Sequence, residues 1–228
     1  MYRRYKSRWW AFFVCIFLWL SNSNWGYAQI GIGGGFEYGT GAFINDGFFI
    51  KRPSLGITGM LSYAPRESKL FPSFTYLLKT MVVPVNNSYF ANLSDLAKTQ
   101  HFVLNLNYRT SPESNYYQFF MGVGASKITP ETDLSDNNGY AVKLIDTAAA
   151  NLYPIVQLGA KYMHRILENS SFYLGLEANL KYIRMHSDNV YYLQQDKNLV
   201  KASIGGDVIF PSVQIHLDYF FDGNERRY

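Results

Sequence analysis

The stretch Phe102-Val103-Leu104-Asn105-Leu106-Asn107-Tyr108-Arg109 puts Phe102, Leu104, Leu106 and Tyr108 on one parity and Val103, Asn105, Asn107 and Arg109 on the other. Successive side chains of an extended strand point to opposite faces, so the segment has one greasy face and one mostly polar face. The same pattern recurs at Phe172, Leu174, Leu176, Ala178, Leu180 and Tyr182 against Tyr173, Gly175, Glu177, Asn179 and Lys181. It returns near the end, where Val213, Ile215, Leu217, Tyr219 and Phe221 alternate with Gln214, His216, Asp218 and Phe220.

Five further copies lie around Ile30–Tyr38, Leu55–Tyr63, Phe74–Lys79, Tyr117–Ser126 and Val156–Tyr162. The set amounts to eight segments of about ten residues, and a strand of ~9–11 residues tilted at ~45° crosses the hydrocarbon layer of a bilayer. The pattern predicts an all-β, antiparallel, up-and-down transmembrane barrel of eight strands within about residues 30–221.

Alternation also describes a soluble barrel whose apolar face points inward, so the orientation rests on other features. The polar parity carries ions in mid-strand, namely Glu37, Lys79, Arg109, Lys161, Glu177, Lys181 and Asp218. It is also rich in glycine, as a narrow lumen crowded with side chains requires. The connections alternate in length: short near 64–71, 110–116 and 164–170, long near 41–54, 82–100, 127–152 and 185–200. Short periplasmic turns and long extracellular loops are the asymmetry of outer-membrane barrels. At the predicted periplasmic rim the apolar parity supplies Tyr63, Phe74, Tyr108, Tyr117, Tyr162, Phe172, Tyr219 and Phe221, an aromatic girdle at headgroup level.

The N-terminus has the form of a cleaved signal peptide. Arg3, Arg4, Lys6 and Arg8 precede an apolar run from Trp9 to Leu20, too short to span a bilayer as a helix, and Gly26 and Ala28 form a small-x-small site. The expected division is a signal peptide over 1–28 and a barrel domain over 29–228 with a short tail over 222–228. Loss of the leader takes Lys plus Arg from 21 to 17 against 17 Asp plus Glu, so the basic balance is a targeting effect and a nucleic-acid partner loses its compositional support. It also removes the one cysteine, Cys15, and with it disulfides and thiolate metal sites.

With these strands, this rim and the closing aromatic-x-aromatic pair Tyr219 and Phe221, the chain resembles the small eight-stranded outer-membrane barrels of the OmpA/OmpX type. In its tyrosine-rich, long-looped style it is similar to the outer-membrane barrels of Bacteroidota. The tail after Phe221 departs from that pattern, in which the aromatic often ends the protein. The resemblance implies export to the outer membrane, barrel-assembly machinery as a partner, and contact with outer-membrane lipid including lipopolysaccharide.

Motifs of chemistry are sparse. Gly31, Gly33, Gly34 and Gly35 do not complete a dinucleotide loop, because Phe36 stands where its last glycine belongs. His216 and Asp218 are two apart on one strand and point into the lumen together, the spacing that would orient an imidazole as a general base. Their bland reading is membership of a lumen ion network, since buried charges must be paired. His186, with Ser187 and Asp188, stands at the entry of a long loop; His101 and His164 are expected at solvated strand ends. No two histidines show metal-ligand spacing on one face, so neither a metal nor a cofactor is expected.

Tyr89–Lys98 has Phe90, Leu93, Leu96 and Ala97 at helical spacing, and Ala141–Leu152 has helical composition, so short surface helices are expected there. The function these features favour is a non-enzymatic barrel with a side-chain-filled lumen: a structural, adhesion or accessory component contacting an envelope partner through loops 82–100 and 127–152. The alternatives are a lipid-modifying enzyme using a barrel histidine and a periplasmic lipocalin-like binding barrel.

Overall fold

The computed structural model describes residues 28–40, 42–43, 53–65, 68–84, 94–111, 115–130, 133–135, 141–147, 152–167, 170–185, 190–195, 198–203 and 206–221. The expected signal peptide, the tail after Phe221 and His186 lie outside them. Eight long strands make the body: β1 (Ala28–Thr40), β2 (Pro53–Pro65), β3 (Leu70–Pro84), β4 (Ser94–Arg109), β5 (Asn115–Pro130), β6 (Leu152–Arg165), β7 (Phe172–Met185) and β8 (Gly206–Phe221). Each pairs antiparallel with its sequence neighbour, and β8 closes on β1 from Ile30–Phe221 to Gly39–Ser212, so the expected eight-stranded barrel is what forms.

Closure fixes the stagger. Leu70 lies opposite Tyr108, then in turn Phe119, Ala160, Ala178, Val213, Tyr38 and Leu55. One step beyond the Gly56–Lys79 pair, Leu55 faces Thr80, so a circuit of the eight strands returns ten residues above Leu70. With a rise of ~3.3 Å per residue and strands ~4.8 Å apart, that stagger tilts the strands by roughly 40° and leaves an interior just wide enough for side chains.

The burial pattern is that of a soluble protein turned inside out. The outward parity exposes Phe36, Leu55, Met121, Leu176 and Ile215, while the inward parity buries Glu37, Lys79, Lys161, Lys181 and Asp218. A contiguous apolar surface of this extent is stable against acyl chains and not against water, so the alternative with inward-pointing apolar faces drops out. Among the described residues no helix is long and apolar enough to cross a membrane, and the crossing is made by strands.

Two expectations are corrected above the belt. Residues 94–98, expected as the end of a helix, are the first residues of β4, paired from Ser94–Pro84 to Lys98–Thr80. The apolar residues at helical spacing lose to a ladder against the β-branched Val82 and Val83, which pairs the backbone without a break from Ser94 to Tyr108. Ala141–Thr147 is likewise a strand. It joins Asp133–Ser135, Val190–Gln195 and Asn198–Ser203 in a separate four-stranded sheet that ties together the loops after β5 and β7.

Candidate functional site: a filled and layered lumen

The lumen is built on glycine. At Gly33 a Cβ would collide with the Asp218 carboxylate, and at Gly175 it would collide with the His216 ring, so both strands must be bare where the neighbouring side chain leans across. This is the close approach that only glycine allows. Bare backbone on one strand makes room for bulk from the next, and the interior fills in layers.

At the short-turn end Ala64, Phe71, Tyr116, Met163, Tyr173 and Phe220 form an apolar stopper. Tyr173 meets Tyr116 and Phe220 edge-on, with ring centroids 5.8 and 5.5 Å apart. Arg109 lies over the Phe71 ring at 5.6 Å and donates to the carbonyls of Ser68 (3.0 Å) and Pro65 (2.5 Å), fastening the β2–β3 turn beneath the stopper. Arg109 therefore stands apart from the other ions predicted for the lumen.

Above the stopper lies a polar layer. Lys161 is 3.4 Å from Glu177, which accepts a 2.7 Å hydrogen bond from Asn179, and Lys161 also reaches Met60 on the far side of the barrel at 3.6 Å. Nδ1 of His216 is 2.9 Å from Asp218, and its Nε2 is 4.0 Å from Glu177. Along the wall from β6 to β3, Gln157 donates to Asn105 (2.6 Å), Gln118 to Asn107 (2.8 Å), and Asn107 to Ser73 (2.9 Å). Every one of these amides belongs to the polar parity, but the sequence pattern singles out the ions alone.

Higher still, Glu37 receives Lys79 at 3.2 Å, Lys181, and Gln214 at 2.5 Å. Lys79 also stands over the Phe210 ring, 3.2 Å from its centroid. The side chains of Glu37 and Lys79 are wholly buried. The seven predicted ions thus resolve into a Glu37–Lys79–Lys181 cluster, a Glu177–Lys161 pair, Asp218 held by His216, and Arg109 at the turn. Toward the long loops Tyr153, Ile155, Ile183, Val208 and Phe210 bury a second apolar layer.

His101 is a correction. It is fully buried on the inward face of β4, opposite Ser126 of β5, and not at a solvated rim, because β4 continues beyond it to Ser94. His164 is exposed near the end of β6. Of the weak catalytic candidates, His216 and Asp218 are brought together, but the imidazole covers bare Gly175 and its Nε2 is buried. Among the described residues no group of three His, Cys, Asp or Glu side chains converges as a metal would need.

The eight predicted rim aromatics lie on the outward parity. Tyr117 meets Tyr162 at 5.2 Å, and Tyr219 bridges Phe172 (4.6 Å) and Phe221 (4.7 Å). Tyr63 and Tyr108 stand near the same end, whereas Phe74 sits higher, opposite Leu61 and Leu104.

This geometry defines a transmembrane β-barrel of eight strands with a closed, side-chain-filled interior. The chain is similar in fold to a major outer membrane protein from Thermus thermophilus, with a TM-score of 0.55 at 9% identity over 85% of this chain and 99% of that one. Also similar are Ail, the attachment invasion locus protein of Yersinia pestis (TM-score 0.47, 12% identity, 86% and 99% covered), and Neisserial surface protein A (TM-score 0.45, 10% identity, 85% and 99% covered). No protein-family model matches the sequence, and no curated protein matches it.

Proposed function

We propose that this protein is a non-enzymatic, integral outer-membrane barrel, exported behind its signal peptide, whose long loops are a contact surface for an envelope partner. The observation that carries the reading is the filled lumen. With stopper, ion layers and upper apolar layer stacked across the bore, side chains of the described residues occupy the interior. The apolar belt is taken up by lipid, including lipopolysaccharide, and the loops are the surface that remains. The four-stranded sheet that unites two of those loops supports the assignment, since it gives them a scaffold of their own.

An acyl-transfer or hydrolytic role for His216 lacks support in the geometry: its Nε2 faces Glu177 across bare Gly175, deep in the short-turn half, away from any lipid. The test begins with protein extracted from outer membranes. Gel mobility should shift on boiling, as a detergent-stable barrel requires, and envelope proteins should be recovered with it. Replacing 131–151 and 85–93 by short turns should keep the shift and lose those proteins. Unchanged recovery, or steady ion conductance across a planar bilayer, would overturn the proposal.

A further inference from the structure

The outer wall is not uniform. The β2–β3 ladder runs only from Gly56–Lys79 to Ser62–Ser73 and is the shortest of the eight. A groove of about 420 Å³ lies on the wall at the Gly56–Lys79 end of that ladder, within the range of small-ligand sites. Phe36, Leu55, Ile57 and Leu78 line it from the outward parity. Gly56 and Lys79 belong to the inward parity, so their main chain forms the floor.

Two features say what fits. Next to the groove toward mid-wall, one pair beyond Phe36–Ile57 on the outer face, Gly34 and Gly59 lie opposite each other, and a Cβ at Gly59 would meet nothing within 4 Å. A stretch of bare backbone between exposed aliphatic side chains is a trough for a linear chain. At its long-loop margin stand Thr80 and the exposed Lys98, a cation at the height where the apolar belt ends. Basic side chains at that boundary attract anionic headgroups.

We propose that this groove seats one acyl chain of an anionic membrane lipid, with the chain along Phe36, Ile57 and the Gly34–Gly59 trough and the headgroup phosphate against Lys98. The seat rests on the assignment of the outer wall to the membrane. It confers no transport, since the lumen behind it is closed by Lys79 on Glu37 and Phe210.

The test is native mass spectrometry of the full barrel in detergent, supplied with phosphatidylglycerol or with phosphatidylcholine of the same chains. The wild type should retain phosphatidylglycerol several-fold over phosphatidylcholine. Thr80→Trp should lose both lipids by filling the groove, Lys98→Glu should lose the preference, and Leu176→Trp on another part of the belt should change neither. Equal retention by Thr80→Trp and Leu176→Trp, in a barrel that still shifts on boiling, would overturn the lipid seat and leave the membrane assignment standing. A chain found in the soluble fraction without that shift would overturn both.

Discussion

Replacing Glu37 by Gln tests whether the lumen is closed to water. The carboxylate is wholly buried and stands between Lys79 and Lys181, with Gln214 as a third donor. The amide keeps the shape but leaves two buried ammonium groups without a counter-charge. Removing one partner of a buried ion pair costs about 3–5 kcal/mol, because the remaining charge has lost both water and partner. With a slope of about 2 kcal/mol per molar urea, the unfolding midpoint should fall by roughly 2 M. The assay is urea titration of the refolded barrel in detergent, read by the fraction that keeps its folded mobility on an unheated gel. The triple variant Glu37→Leu, Lys79→Met, Lys181→Met removes the charges together and should recover most of the loss, since apolar replacement of a buried cluster is often neutral or stabilising. A single variant within about 0.5 kcal/mol of wild type would place the cluster among solvated surface charges and refute the closed lumen. A triple variant as unstable as the single one would assign the effect to packing.

Three further outcomes are expected. Gly175→Val should sharply reduce the refolded yield, overpacking of this kind costing about 1–3 kcal/mol or more, while Gly59→Ala, with open space around it, should refold as wild type; adding His216→Ala to Gly175→Val should restore part of the yield. Met121→Arg on the lipid face should destabilise the barrel in liposomes by about 2–4 kcal/mol, the cost of a cation near the bilayer midplane, and an unchanged stability would mean that this face meets water. Arg109→Ala removes two hydrogen bonds from a cation to the β2–β3 turn and should cost about 1.5–3 kcal/mol, with faster amide exchange at Ser68, whose N–H is bonded to the Pro65 carbonyl, as the local signature.

The barrel is legible because the bilayer imposes period two on every strand that crosses it. The parity of Phe102–Arg109 places each side chain on the side the structure gives it. Legibility ends where the belt ends. Lys98 and Gln100 are polar on the outward face, so the alternation vanishes although the strand goes on to Ser94, and Leu93, Leu96 and Ala97 then imitate a helix. His101 is misplaced at a rim for the same reason. Inside, parity locates the ions but not their partners, since which residues share a level depends on the ten-residue stagger, and closure sets that only after every ladder is in register. Nothing in the sequence distinguishes Arg109, which fastens a turn, from Lys79, which meets Glu37.

That division of labour explains how the register itself is chosen. A one-residue slip between neighbouring strands exposes ions to lipid and is excluded by the belt. A slip of two keeps every outward side chain on the outer face, and the belt cannot detect it. The lumen can. His216 lies over Gly175, Asp218 over Gly33, Asn105 over Gly122 and Phe120 over Gly159, each pair directly opposite in its ladder. Shifting β8 by two against β7 would take His216 off Gly175 and put it opposite Glu177 or Tyr173, bulk against bulk. Such overpacking costs free energy in a packed interior. The bilayer therefore selects the face of each strand, and the glycine holes of the lumen select its position along its neighbour.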